Sequence, residues 1–183
     1  MHPDYERFIN GIHAHVPDAK VIVDVGALDG AGAIDIKRAF PDATVFAVDP
    51  INLNVDACLA AGVVPVIACC SSHYGNKMFT RSRQSGLTSM YSRGIEESGG
   101  FMSVSFPVSL LVADAVKIDA EGSAYEIVCS AASSRLIQVE TETAQLFAGQ
   151  VLEAECFEQL TAFGFRRLWE ERSGEQTESM WLR

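Results

Sequence analysis

The chain has 183 residues, 48% of them hydrophobic and 21% charged, with a net charge of -10 at pH 7, which suits one folded domain over residues 1–183 that buries roughly 70% of its unfolded surface. The acidic balance excludes a nucleic-acid partner, which needs a basic footprint, and disfavours an anionic membrane surface. No apolar stretch reaches the ~18 residues of a membrane helix, the polar start Met1-His-Pro-Asp-Tyr-Glu-Arg7 lacks a signal peptide's apolar run, and the five cysteines show no C-x-x-C spacing, so they read as reduced thiols of a cytoplasmic protein.

Within residues 1–19, Tyr5, Phe8, Ile9 and Ile12 recur at helical spacing and predict an entry helix over 4–15. Val21 to Val25 is an apolar β-branched run, as in a strand buried on both faces. A helix follows from Ala31 to Phe40, with Ile34 and Ala39 turned inward. Thr44 to Val48 predicts a second strand, Asn52 to Ala61 a second covering helix, and Val63 to Ala68 a third strand running into Cys69-Cys70-Ser71-Ser72.

Residues 73–106 break the rhythm. Gly75 to Gly100 is rich in Ser, Gly and Arg without a steady period. It predicts a long excursion over the carboxyl edge of the sheet, with one hairpin pairing Lys77-Met-Phe79 with Val104-Ser-Phe106. Long loops of this kind serve as functional lids. Arg81, Arg83 and Arg93 would there grip an acidic acceptor or simply face water.

The sheet resumes at Ala115 to Asp119. A helix from Ser123 to Ala132, a strand from Leu136 to Glu140 and a helix from Val151 to Phe163 follow. That last helix places Leu152, Cys156, Leu160 and Phe163 on one face. A closing hairpin joins Phe165–Trp169 to Ser179–Leu182. This alternation predicts an α/β fold of the Rossmann-like kind. Its sheet has about seven strands, mostly parallel, with helices on both faces and one antiparallel insertion.

Ligands of such sheets lie beyond the carboxyl ends of the strands. Two segments reach that edge with carboxylates. In Asp24-Val-Gly26-Ala27-Leu-Asp29-Gly30, a glycine lets backbone approach a ligand and the next helix offers free N–H groups. Asp49-Pro50 ends the following strand, where a carboxylate can accept two hydrogen bonds from ribose hydroxyls. No register of Gly26, Gly30 and Gly32 fits G-x-G-x-x-G, and carboxylates here would face a pyrophosphate badly. They suit a cofactor with a cationic end, such as S-adenosylmethionine. The second segment is Lys117-Ile-Asp119-Ala-Glu121-Gly122. Two nearby carboxylates raise one pKa, which favours a proton acceptor. Glu140, ending the neighbouring strand, can join them. Alternatively Asp119 only binds cofactor, and Glu121 only caps Ser123 or pairs with Lys117. Oxygen ligands from Asp119, Glu121 and Glu140 also suit a hard divalent ion, but no metal site is assigned.

These two segments, together with the strand end at Phe46 to Pro50, resemble the FkbM family of S-adenosylmethionine-dependent methyltransferases. Val23 to Gly30 is similar to that family's V-D-V-G-A-N-x-G, Phe46 to Pro50 to its F-x-F-E-P, and Lys117 to Gly122 to its K-I-D-V-E-G. Order and spacing agree over roughly residues 20 to 145. The resemblance implies a class I methyltransferase fold, S-adenosylmethionine as cofactor, and methylation of a hydroxyl on a sugar or natural-product acceptor. It implies that Asp24, Gly26, Ala27, Asp29, Gly30, Asp49, Pro50 and Asp119 bind cofactor, while Asp119 and Glu121 line the reaction centre; Ser71 and Ser72, just past the third strand, are placed to meet the adenine. His73, just past the third strand, is the histidine candidate for a base. Leu28 stands where the family usually has Asn, Asp49 where Glu is commoner, and Ala124 where an acid is common. With little chain before the first strand, the acceptor site would come from the excursion or from a second copy in a homo-oligomer. A nicotinamide-dependent oxidoreductase and a non-catalytic cofactor-binding module are the competing expectations.

Overall fold

The computed structural model describes residues 1–82, 89 and 97–183. Its elements in chain order are α1 Pro3–His15, β1 Val21–Val25, α2 Ala31–Ala39, β2 Thr44–Val48, α3 Val55–Ala60, β3 Val64–Val66, β4 Cys69–Cys70, β5 Gly75–Ser82 and β6 Glu97–Phe106. A short 3-10 turn, Val108–Leu111, leads to β7 Ala115–Ile118, α4 Ala124–Ser130, β8 Leu136–Glu142, α5 Glu153–Ala162, β9 Arg166–Ser173 and β10 Gln176–Leu182.

A seven-stranded sheet runs in the order β3-β2-β1-β7-β8-β10-β9. From β3 to β8 its neighbours are parallel, while β10 is antiparallel to both β8 and β9. The order turns back on itself between β1 and β7, and ligands of open sheets sit at such a switch. One face packs on α1 and α2 through Phe8, Ile12, Ile22, Ile36 and Leu136. The other packs on α4 and α5 through Val23, Val116, Ile127, Ile137 and Leu160. Among the described residues no helix is long and apolar enough to cross a membrane.

Local chemistry moves several boundaries from their predicted places. On α2 the fully buried positions are Ala33 and Ile36, with Ile34 and Ala39 half-buried beside them. The helix predicted from Asn52 starts only at Val55. Asp49 holds the N–H groups of Ile51 and Asn52, and Asn54 caps the helix by accepting from Ala57 at 3.1 Å. The third strand stops at Val66, with Pro65 tolerated because β3 is a sheet edge. Cys69–Cys70 then leave the main sheet and pair in parallel with β6.

The 73–106 excursion contains a long hairpin in register Asn76↔Val104 and Met78↔Met102. With β4 it makes a second, three-stranded sheet. Phe79 stacks on Phe101 at 5.4 Å, and Lys77 pairs with Glu126 of α4 at 3.1 Å. Arg83 and Arg93 lie outside the described residues, as does the side chain of Arg81.

Candidate active site

A cavity of about 400 Å³ opens at the carboxyl edge, across the switch between β1 and β7. Its first half is built by the turn after β1. The N–H groups of Gly26 and Ala27 both donate to Val48 O, at 2.9 and 3.2 Å, which folds this turn onto β2. Gly26 has φ +80, and a Cβ there would lie 1.7 Å from Asp119 O. The first turn and the end of β7 therefore touch backbone to backbone, a contact only glycine permits. Asp49 lines the same half. Its Oδ1 accepts from Ile51 and Asn52, at 2.8 and 2.9 Å, and its Oδ2 accepts from Leu28 at 3.1 Å. A carboxylate has about four acceptor positions, so Asp49 retains about one for a ligand rather than two. Val48, Pro50, Ile51 and Cys70 add apolar wall.

The second half is acidic. Asp119, Glu121 and Glu140 line it, with Gln176 beside them. Asp119 Oδ2 pairs with Lys117 Nζ at 3.1 Å. Glu140 Oε1 accepts from Gln176 Nε2 at 2.8 Å. Burial pushes Glu140 up to about 8, helped by the charges of Asp119, Glu178 and Glu121. The excursion roofs this end. Phe79 and Ser89 line the cavity, and Ser89 Oγ donates to Glu121 O at 2.6 Å. His2 and Asp4, at the start of α1, contribute to the wall.

Beneath the cavity a polar row crosses the α1 side of the sheet. Strand register sets Asp24 beside Lys117 and Lys117 beside Gln138. Asp24, Lys117 and Gln138 are all 0% exposed. Gln138 Nε2 donates to Glu178 Oε1 at 2.5 Å and to Asp4 O at 3.1 Å. Tyr5 of α1 closes the row from above. Its hydroxyl donates to Asp24 Oδ2 at 3.0 Å, and its ring lies 4.8 Å from Lys117 Nζ. The ring passes so close to α2 that a Cβ on Gly32 would lie 1.9 Å from Tyr5 Cζ. Burial pushes Asp24 up to about 6, against the pull of Lys117 and Tyr5. Burial likewise pushes Glu178 up to about 7. Burial alone would lower Lys117, but Asp119, Asp24 and Glu178 overcome it and hold the ammonium above the ordinary lysine range.

The site residues predicted from sequence separate into two groups. Gly26, Asp49, Pro50, Asp119 and Glu121 line one cavity. Asp24 lies under it. Ala27 is buried in the core. Asp29 is turned to its own helix, accepting from Ala31 at 2.9 Å, and Gly30 packs against Cys58. Ser71 closes a tight turn, donating to His73 O at 2.8 Å. His73 is exposed beyond it, with Nδ1 2.6 Å from Ser72 Oγ. Neither reaches the cavity lining. Tyr5 and Glu178 were not singled out as site residues. The alternation Gln176-x-Glu178-x-Met180 could have marked Glu178 as inward-facing, but nothing local marks the Tyr5 hydroxyl. Among the described residues, no three His, Cys, Asp or Glu side chains are grouped to hold a metal ion.

No family model matches the chain, and no curated protein matches it. Solved structures do. It is similar to the 1,6-didemethyltoxoflavin-N1-methyltransferase of Burkholderia thailandensis, with TM-score 0.54 and 14% identity over 99% of this chain and 78% of that one. It is similar to the magnesium protoporphyrin IX methyltransferase of Synechocystis PCC 6803, with TM-score 0.53 and 14% identity over 98% and 80% of the two chains. A precorrin-6y C5,15-methyltransferase of Geobacter metallireducens gives TM-score 0.56 and 13% identity over 98% and 86%. The chain thus has the Rossmann-like class I methyltransferase fold.

Proposed function

We propose that this protein transfers a methyl group from S-adenosylmethionine to a hydroxyl of a small-molecule acceptor, a sugar or a natural-product scaffold. One observation carries the reading. A single cavity runs from the Gly26 turn and Asp49 to a carboxylate-lined end at Asp119, Glu121 and Glu140. The solved neighbours support it, since two of them were crystallised with S-adenosylhomocysteine or S-adenosylmethionine bound. The order and spacing of the three motifs support the FkbM family within that class.

The residues present fit the cofactor. Gly26 lines the cavity where its turn packs on Asp119, Asp49 keeps an acceptor position for a ribose hydroxyl, and Val48, Pro50, Ile51 and Cys70 offer apolar wall to an adenine. The bound cofactor supplies an activated methyl group on a sulfonium. The acidic half favours that cationic centre over a pyrophosphate. Holding the acceptor oxygen in line with the methyl carbon supplies much of the rate. The Phe79 and Ser89 roof restricts water.

Calorimetric titration with S-adenosylhomocysteine, with NAD as control, tests the reading. Saturable binding of the first alone supports it. Binding of NAD alone replaces it with an oxidoreductase.

A further inference from the structure

We propose that Glu140 is the proton acceptor of this site, receiving the proton that the acceptor hydroxyl loses as its oxygen takes the methyl group. The inference rests on the methyltransferase reading and deepens it.

Geometry separates Glu140 from its neighbours. Asp119 gives one oxygen to the Lys117 ammonium at 3.1 Å. Among the described residues Glu140 forms no ion pair. Gln176 Nε2 donates to its Oε1 at 2.8 Å, which orients the carboxyl group, while among the described residues Oε2 has no hydrogen bond, and the residue lines the cavity. Strand register sets Glu140 directly opposite Glu178, and like charges in such a pair are unfavourable. The charged groups facing it come from every neighbouring element. They are Lys117 and Asp119 at β7, Glu121 in the turn that follows, Glu178 on β10, and Asp4 of α1 on the cavity wall. Burial and three carboxylate neighbours push Glu140 up to about 8, close to the range where a general base works best at neutral pH.

The step balances. The acceptor oxygen forms a bond to the methyl carbon as the carbon–sulfur bond breaks, and that bond's electron pair stays on sulfur. The sulfonium becomes the neutral sulfide of S-adenosylhomocysteine. The hydroxyl proton passes to Glu140 Oε2, which changes from carboxylate to acid and later releases the proton to water.

The test needs no acceptor. Calorimetry of the full chain at about pH 7.5, in two buffers of different ionisation enthalpy, counts the protons released on binding. S-adenosylmethionine brings a positive sulfonium that S-adenosylhomocysteine lacks. A carboxyl facing it should therefore release about half a proton more with the former. The expected result is that this excess disappears in Glu140→Gln. Gln176→Leu removes a donor that favours the carboxylate, so it should move the pH of greatest excess upward. Equal release by the two ligands in the wild type, or an excess that survives in Glu140→Gln, overturns the proposal alone. If Glu140→Gln does not fold, an unmoved pH optimum in Gln176→Leu overturns it. Failure of the wild type to bind either ligand overturns the cofactor reading, and the proposal with it.

Discussion

The two faces of the central sheet are built by opposite rules. Toward α4 and α5, β1, β7 and β8 present Val23, Val25, Val116, Ile118, Ile137 and Val139. Toward α1, the alternate positions of the same strands begin apolar, with Ile22, Ala115 and Leu136, and turn polar toward the carboxyl edge, with Asp24, Lys117, Gln138 and Glu140. The dry face is ordinary close packing. The wet face holds one buried ammonium among several carboxylates, a weak source of stability because desolvation offsets the attraction. Its use is positional, since it sets the carboxylates of the acidic cavity end at fixed heights above the sheet.

Breaking the wet face at its cation should have the largest effect. Lys117→Met leaves Asp24, Asp119 and Glu178 without their shared partner and should cost about 3–5 kcal/mol at neutral pH. The loss should shrink as pH falls through about 8 to 6, where Glu140, Glu178 and Asp24 in turn take up protons. Chemical denaturation at two pH values measures both. A loss independent of pH would mean that the Lys117 stem, and not its charge, matters.

On the dry face, Ile137→Ala should cost about 2–4 kcal/mol with no such pH dependence. That contrast separates the two rules directly.

In the wild type, Asp24, Glu178 and Glu140 have folded-state values above their ordinary ones. The folded state thus binds protons more tightly than the unfolded chain. Stability from these groups is fully present at about pH 4 and lost as pH rises through about 6 to 8. Melting scans should give a lower melting temperature at pH 9 than at pH 6, and a flat profile would contradict the buried row.

A smaller effect belongs to Tyr5→Phe, which removes the hydroxyl on Asp24. It should cost about 1–3 kcal/mol, since the bond goes to a charged group.

The smallest effect comes from Leu28, at φ 52 and 41% exposed. A leucine in left-handed backbone is strained by roughly 1–2 kcal/mol, while Asn tolerates it. Leu28→Asn should therefore raise stability by up to about 1 kcal/mol in the same denaturation assay.

The dry face was legible in the sequence because apolar β-branched runs report burial directly. Val21–Val25 and Thr44–Val48 fall where those patterns put them. The acidic edge was legible too, since Asp119 and Glu121 follow an apolar run and a glycine ends it. The Asn-to-Leu departure at position 28 was visible, but its consequence depends on a backbone angle. The wet row was not legible. Asp24, Lys117, Gln138 and Glu178 lie far apart in the chain and meet only through strand register. Ser71 and His73 were misplaced for a related reason. Cys69–Cys70 leave the main sheet for the excursion, which turns the residues after them away from the cavity.

The Gly26 contact has a consequence for change over time. The spacing between the two halves of the cavity is held by main chain against main chain, with no side chain between them. Substitutions in the roof or the walls can therefore alter which molecules enter without moving the two halves apart. Such a scaffold lets selectivity drift while the reaction distance stays constant, and a side chain at position 26 would end that independence.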